Sequence, residues 1–359
     1  MSEPDIPQAT VRFRSLDGFR GIAAVMVMAH HFEPFFFGGN RFGEGFLAVD
    51  LFYLLSGFVL GEAYSRRFEA GLSAWGFMKI RFIRLYPLYI LAMAMSVSEL
   101  LASRFFFGEN AGVLKSTLDV WGGLALNLFF LPSPFFRFAN PFPWSLPIWS
   151  LSYEIVANAL WARFWAWLKG PKLAAILLVS GILLVVLGLR IGLDKGYYWG
   201  WDHFDVGLCR LFYSFGLGLM FSKIDRSGLP KINANYLFLL IFLVLALDPP
   251  ASLKPFYDLA AVLAVFPLCV LLATANEPVR GIESELCAFL GDASYGIYLF
   301  HFPVLILFIL LNRVLGFQKT ALLGLVLMLV VVLFAAFLNR FVDGPIRRRL
   351  RSGLGPKLP

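Results

Sequence analysis

The chain has 359 residues, 59% of them hydrophobic and only 15% charged, with 39 phenylalanines. A soluble domain carries roughly 25% charged residues, so this composition excludes an ordinary globular protein and predicts an integral membrane one. The net charge of +8 is held in short clusters between apolar runs. That is the pattern of cytoplasmic loops, and no nucleic-acid partner is expected from it.

The opening MSEPDIPQATVRFRSLDG has no apolar core before a small-residue site, so no removable signal peptide is expected and residues 1–14 read as a cytoplasmic tail. One membrane domain is expected over 15–346, with a basic cytoplasmic tail at 347–359. Its first spans, 19–37 and 45–64, form a hairpin turning at Gly38-Gly39-Asn40. Arg12 and Arg14 precede it and Arg66, Arg67, Lys79, Arg81 and Arg84 follow it, which puts both ends in the cytoplasm. A third span, 85–103, runs outward.

The stretch LDVWGGLALNLFFL (118–131) is apolar but too short to cross, and reads as a re-entrant or interfacial segment. Charge parity supports this. If it does not cross, spans at 148–168, 172–190, 205–222, 235–248, 257–275, 289–313 and 319–341 deliver Lys169, Lys172, Lys223, Arg226, Lys231 and RRRLR (347–351) to the cytoplasm. If it crosses, all of these clusters turn outward together, against the orientation bias of Lys and Arg. The expected fold is therefore an all-α polytopic membrane bundle of about ten transmembrane helices plus a re-entrant segment. A bacterial-type inner membrane with both termini cytoplasmic is the expected location.

The outer stretch GLDKGYYWGWDHF (192–204) reads as aromatic interfacial anchoring, with acceptor binding as the alternative. Cys209, Cys269 and Cys287 have no metal-ligand spacing and read as packing residues, and no metal is expected. Paired inverted repeats, the mark of many transporters, are not evident.

Ionisable residues inside apolar segments are functional candidates, because each costs a few kcal/mol to insert. The first hairpin carries Asp17, Arg20, His30, His31 and Asp50. Ten residues separate Arg20 from His31, three helical turns and roughly 16 Å along the axis. His31 and Asp50 are about equidistant from the hairpin turn, so similar depths are expected and Asp50 is a candidate to hold and charge-balance the His31 imidazole. His30 points about 100° away and reads as packing or capping. Arg81 and Arg84 share a helix face at the inner mouth of the third span, suiting either topology or the phosphates of an anionic cofactor. Glu154, inside WSLSYE (149–154), needs a buried partner, structural or functional. Tyr298 and His301 share a face near mid-membrane within SYGIYLFHFP (294–303).

The ordered set RSLDGFRGIAA, Arg20-x10-His31, VDLFYLLSGFVL, RFIRLYPLY, WSLSYE and SYGIYLFHFPV resembles the acyltransferase type 3 family of membrane O-acyltransferases, over about Arg14 to Arg349. The resemblance implies transfer of an acyl group, usually acetyl, from acetyl-CoA or another acyl-CoA to hydroxyls of envelope or exported carbohydrates or lipid-linked glycans. It also implies a catalytic role for His31 paired with Arg20, and a donor role for Arg81 and Arg84. Glu154 falls on the glutamate of the family's W-S-L-S-x-E motif. Ile155 and the following VANA depart from that motif's usual continuation, and no hydrolase-like domain is expected after the last span. In the reading so reached, His31 is general base or transient acyl carrier, with Asp50, Glu154 and His301 as the other catalytic candidates. The rival class is a transporter or flippase of a glycolipid, using the same polar residues as a path.

Overall fold

The computed structural model of the protein describes residues 12–39, 42–108, 117–134, 141–142, 144, 147–195, 203–278 and 281–352. Among these residues all regular structure is helical, as a hydrocarbon environment requires of any chain that does not close into a barrel. The elements are α1 Arg14–Phe36, a 3₁₀ turn Gly43–Leu47 leading into α2 Ala48–Glu69, α3 Ala74–Phe107, α4 Thr117–Leu128 and α5 Ile148–Phe164. They continue with α6 Pro171–Arg190, α7 Phe204–Phe221, α8 Ala234–Ala246, α9 Lys254–Ala273, α10 Ile282–Leu315 and α11 Ala321–Ser352.

Seven helices among the described residues are long and apolar enough to cross a bilayer. The other three expected spans are helices as well. α1 carries Arg14, Asp17, Arg20 and Glu33 among its apolar residues, α5 has 17 residues and α8 has 13. About ten spans is thus a fair approximation. The expected anchor at 192–204 lies mostly outside the described residues, as do both tails beyond Arg12 and Ser352.

α4 has 12 residues, about 18 Å of helix, well short of a bilayer core. It ends by folding back on itself. The Asn127 amide donates to the carbonyls of Leu131 and Pro141 at 2.9 and 3.2 Å, and Phe130 sits at φ 61°. The Phe130 ring stacks on Tyr89 of α3 at 4.0 Å. On either side of this segment, the start of α3 meets the end of α5, with Phe77 edge-on to Trp161 at 5.5 Å. α3 and α5 therefore run antiparallel, and the connection between them returns the chain without a net crossing. In consequence the positive clusters gather at one end of the bundle. Lys169 reaches Glu69 at the end of α2, and Arg226 pairs with Glu62 and lies over the rings of Phe13 and Phe58.

Two close helix contacts set the geometry of the interior. A Cβ on Gly21 would stand 2.4 Å from the Leu290 Cβ, so only glycine lets α1 lie this tightly against α10. A Cβ on Gly57 would stand 2.0 Å from the Phe215 carbonyl oxygen, which fixes α2 against α7 in the same way. One-turn π bulges occur at Ala261–Val265 and Asn339–Asp343, each shortly before a proline, Pro267 and Pro345. Pro267 cannot donate to the Leu263 carbonyl. The Tyr213 hydroxyl donates to that oxygen at 3.4 Å instead.

Candidate active site

The tight seating of α1 on α10 brings two histidines together. His31 lies one and a half turns before the end of α1, and His301 lies in the middle of α10. The His301 Nε2 stands 3.2 Å from the His31 Nδ1, with ring centroids 4.9 Å apart. The Nδ1 of His31 also faces the Val27 carbonyl at 2.9 Å. The Nδ1 of His301 faces the carbonyls of Tyr298 and Ile297 at 2.8 and 3.2 Å. His301 is wholly buried, whereas His31 keeps an open edge.

That edge gives onto a narrow cavity lined by Val27, His30, His31, Phe46, Trp149 and Tyr298, among others. The cavity has room for little more than a water molecule. Its walls are tied down by the WSLSYE helix. The Ser150 hydroxyl meets the Tyr298 hydroxyl at 2.6 Å, and the Tyr53 hydroxyl donates to the Ser150 carbonyl at 3.3 Å. His30 is held off the dyad by its Nδ1 bond to the Phe42 carbonyl at 3.0 Å, in keeping with a packing and lining role.

The structure does not supply Asp50 as the partner of His31. The Asp50 carboxylate is gripped by Arg210 of α7, with contacts of 2.5 to 3.1 Å and both side chains 1% exposed. The guanidinium also donates to the carbonyls of Leu193 and Phe46 at 3.2 Å each. The physical reason is the cost of an unpaired arginine inside the bundle, which draws the nearest carboxylate to it. Arg210 sits in the apolar run GLCRLFYSF, and that anomaly was a sequence signal for this pairing. Beside it, Lys254 of α9 pairs with the buried Glu44 and lies 3.9 Å from Asp258. This second set of buried charges was not anticipated from sequence.

Glu154 takes a different partner again. Its Oε1 accepts from Arg81 of α3 and from the Ser56 hydroxyl of α2, both at 2.7 Å. Arg81 is 6% exposed, so this triple contact pins α2, α3 and α5 together. Arg81 and Arg84 thus part company. Arg84 makes no ion pair among the described residues, and it lies close enough to Arg20 for the two guanidinium groups to repel. Arg347, at the end of α11, feels the same field while paired to Asp343. Arg20 pairs with Asp17 at 3.8 Å and feels Glu154 and Asp292 from farther off, while Asp17 is shared with Arg12 at 2.5 Å. Arg20 and Arg84 are both half-buried, and their mutual repulsion leaves this end of α1 cationic. No His, Cys, Asp or Glu cluster suited to a metal occurs among the described residues.

A family model described as an acyltransferase domain matches residues 13–340. The chain belongs to the acyltransferase type 3 family. Several relatives of this acyltransferase are known. Protein 2 in the picA locus of Rhizobium radiobacter is 37% identical over 182 residues, covering 49% of this chain and 94% of its own. Peptidoglycan O-acetyltransferase OatA of Listeria monocytogenes is 27% identical over 364 residues, 93% of this chain and 56% of its own. Acyltransferase MdmB of Streptomyces mycarofaciens is 27% identical over 388 residues, 96% of this chain and 94% of its own. The chain accordingly spans just over half the length of the peptidoglycan enzyme. No solved structure gives a significant match. In this acyltransferase His31, His301, Arg20, Arg81, Arg84, Asp50 and Glu154 all fall within the matched region, and Arg347 lies just beyond it.

Proposed function

We propose that this acyltransferase moves an acyl group, acetyl in the simplest case, from acyl-CoA to a carbohydrate hydroxyl of the cell envelope or of an exported polysaccharide. The observation that carries the reading is the division of labour along α1. A histidine dyad opens onto a cavity near one end, and a mutually repelling arginine pair, Arg20 with Arg84, lies near the other. The separation of three turns, roughly 16 Å, is one that an extended pantetheine arm spans. Phosphates of the donor held by Arg20 and Arg84 at the inner mouth would leave the thioester beside His31. The acceptor class rests on the likeness to a peptidoglycan O-acetyltransferase.

In the reaction, His31 Nε2 takes the proton of the acceptor hydroxyl as its oxygen attacks the thioester carbonyl carbon. The carbon–sulfur bond breaks, and the leaving CoA thiolate recovers the proton from the imidazolium. The products are the sugar ester and CoA thiol, with atoms and charge balanced. Asp50 and Arg81 act at a distance, holding α2 against α7 and α3 against α5 so that the cavity walls keep their spacing. The basic clusters gather on the cytoplasmic side, from which the donor arrives, and both termini share it.

The test is direct. Purified protein given acetyl-CoA and an oligosaccharide acceptor should release thiol in step with a mass increase of one acetyl group on the sugar. Thiol-free translocation of a glycolipid, with no ester formed, would replace the enzyme reading by the transporter one. Mass spectrometry of envelope glycans from cells with and without the gene identifies the acceptor.

A further inference from the structure

The hydrogen-bonding partners of the two histidines fix which nitrogen carries each proton. A carbonyl oxygen can only accept, so every ring nitrogen that faces one must be a donor. The Nδ1 of His301, 2.8 and 3.2 Å from the carbonyls of Tyr298 and Ile297, is therefore N–H. In a neutral ring its Nε2 is then a bare acceptor. The Nδ1 of His31 faces the Val27 carbonyl at 2.9 Å and is likewise N–H. The bare Nε2 of His301, 3.2 Å away, is the second acceptor for that same hydrogen. The opposite polarity, with His301 donating from Nε2, would turn unprotonated nitrogens toward three carbonyl lone pairs. A doubly protonated His301 would place a charge in a wholly buried site where no carboxylate touches it.

The geometry points to His301 as a positioning residue for His31: its bare Nε2 and the Val27 carbonyl share the His31 Nδ1–H, which keeps the His31 Nε2 unprotonated and turned to the acceptor. This rests on the proposed acyl-transfer reading and deepens it. The arrangement does what a carboxylate does for the base in a serine-hydrolase triad, but without a charge. When His31 gains a proton at Nε2, the hydrogen on its other nitrogen already has two acceptors, so the imidazolium is stabilised without reorganisation. A neutral orienting group also avoids burying a further anion in the bundle, where one carboxylate, Asp50, is already matched to one arginine. Among the described residues, the route from His301 continues only to the carbonyls of its own helix.

The test uses the full-length protein in detergent or nanodiscs with ¹⁵N-labelled histidine. The chain has four histidines, so single substitutions of His30, His31, His203 and His301 assign the spectrum. The expected spectrum has the shared proton on His31 Nδ1, correlated across the hydrogen bond to an unprotonated His301 Nε2, and an unprotonated His31 Nε2. His301→Leu should lower kcat by about 100-fold, with KM for acetyl-CoA unchanged, because the donor phosphates bind at the far end of α1. His301→Gln keeps an acceptor near the same position and should restore kcat to within about 10-fold of wild type. A proton on His301 Nε2, or a wild-type kcat in His301→Leu, would overturn the inference. The two claims fail separately. An active His31→Ala variant contradicts the acyl-transfer role while leaving the tautomer assignment standing, and an inactive one with an insensitive His301 removes only the positioning role.

Discussion

Asp50 and Arg210 lie in mutual contact at 2.5 Å, each only 1% exposed, in the seam between α2 and α7. A pair so enclosed is costly to break from one side, because the remaining charge is left without a partner. Asp50→Asn and Arg210→Leu should each lower stability by about 3–5 kcal/mol. The double variant Asp50→Leu/Arg210→Met should recover most of that loss. Thermal unfolding in detergent reads the difference. A stable Asp50→Asn protein that has lost only turnover would return Asp50 to the chemistry.

The pair Arg20 and Arg84 makes an opposite forecast. Arg20 and Arg84 are half-buried and repel each other, and Arg84 makes no ion pair among the described residues, so removing either should leave folding nearly unchanged. Each charge-assisted contact to a donor phosphate is worth about 1.5–3 kcal/mol. Arg20→Ala and Arg84→Ala should therefore weaken CoA binding by roughly 10- to 100-fold, and raising salt should narrow the gap from wild type. Calorimetric titration of CoA decides it, and unchanged affinity in both would return these arginines to topology alone.

Arg81 stands between these cases. Its contact with Glu154 at 2.7 Å is supported by Ser56, so coupling is expected. Arg81→Ala and Glu154→Ala should each destabilise, and the double variant should cost little more than either alone. Strict additivity in the double-mutant cycle would contradict a shared structural role.

The antiparallel setting of α3 and α5 leads to a topology forecast. Single cysteines placed after residues 170, 226 and 352, with the native ones replaced, should all react from the cytoplasmic side. A cysteine at position 39 should react from outside. External labelling at both 170 and 352 would mean that the segment around α4 crosses after all.

How much of this was legible in the sequence follows from what each signal measures. Apolar run lengths report helix position, and each of the ten expected segments is helical, seven of them long and apolar enough to cross a bilayer, with α4 as short as expected. The His31–Asp50 pairing failed because equal distance from a hairpin turn gives depth and not azimuth. Asp50 faces α7, where Arg210 attracts it. The partner of His31 came from α10, some 270 positions away, brought in by glycine contacts such as Gly21 on Leu290. The split between Arg81 and Arg84 was invisible for a related reason: i,i+3 spacing shows that two side chains leave one helix face together, not what each one meets.

The most direct measurement is single-turnover acyl transfer by purified His31→Ala beside wild type, with acetyl-CoA and a carbohydrate acceptor, and CoA affinity measured on the same samples. The account predicts ester formation reduced by at least about 100-fold, with CoA affinity and thermal stability close to wild type. Ester formation near the wild-type rate in that variant would contradict it.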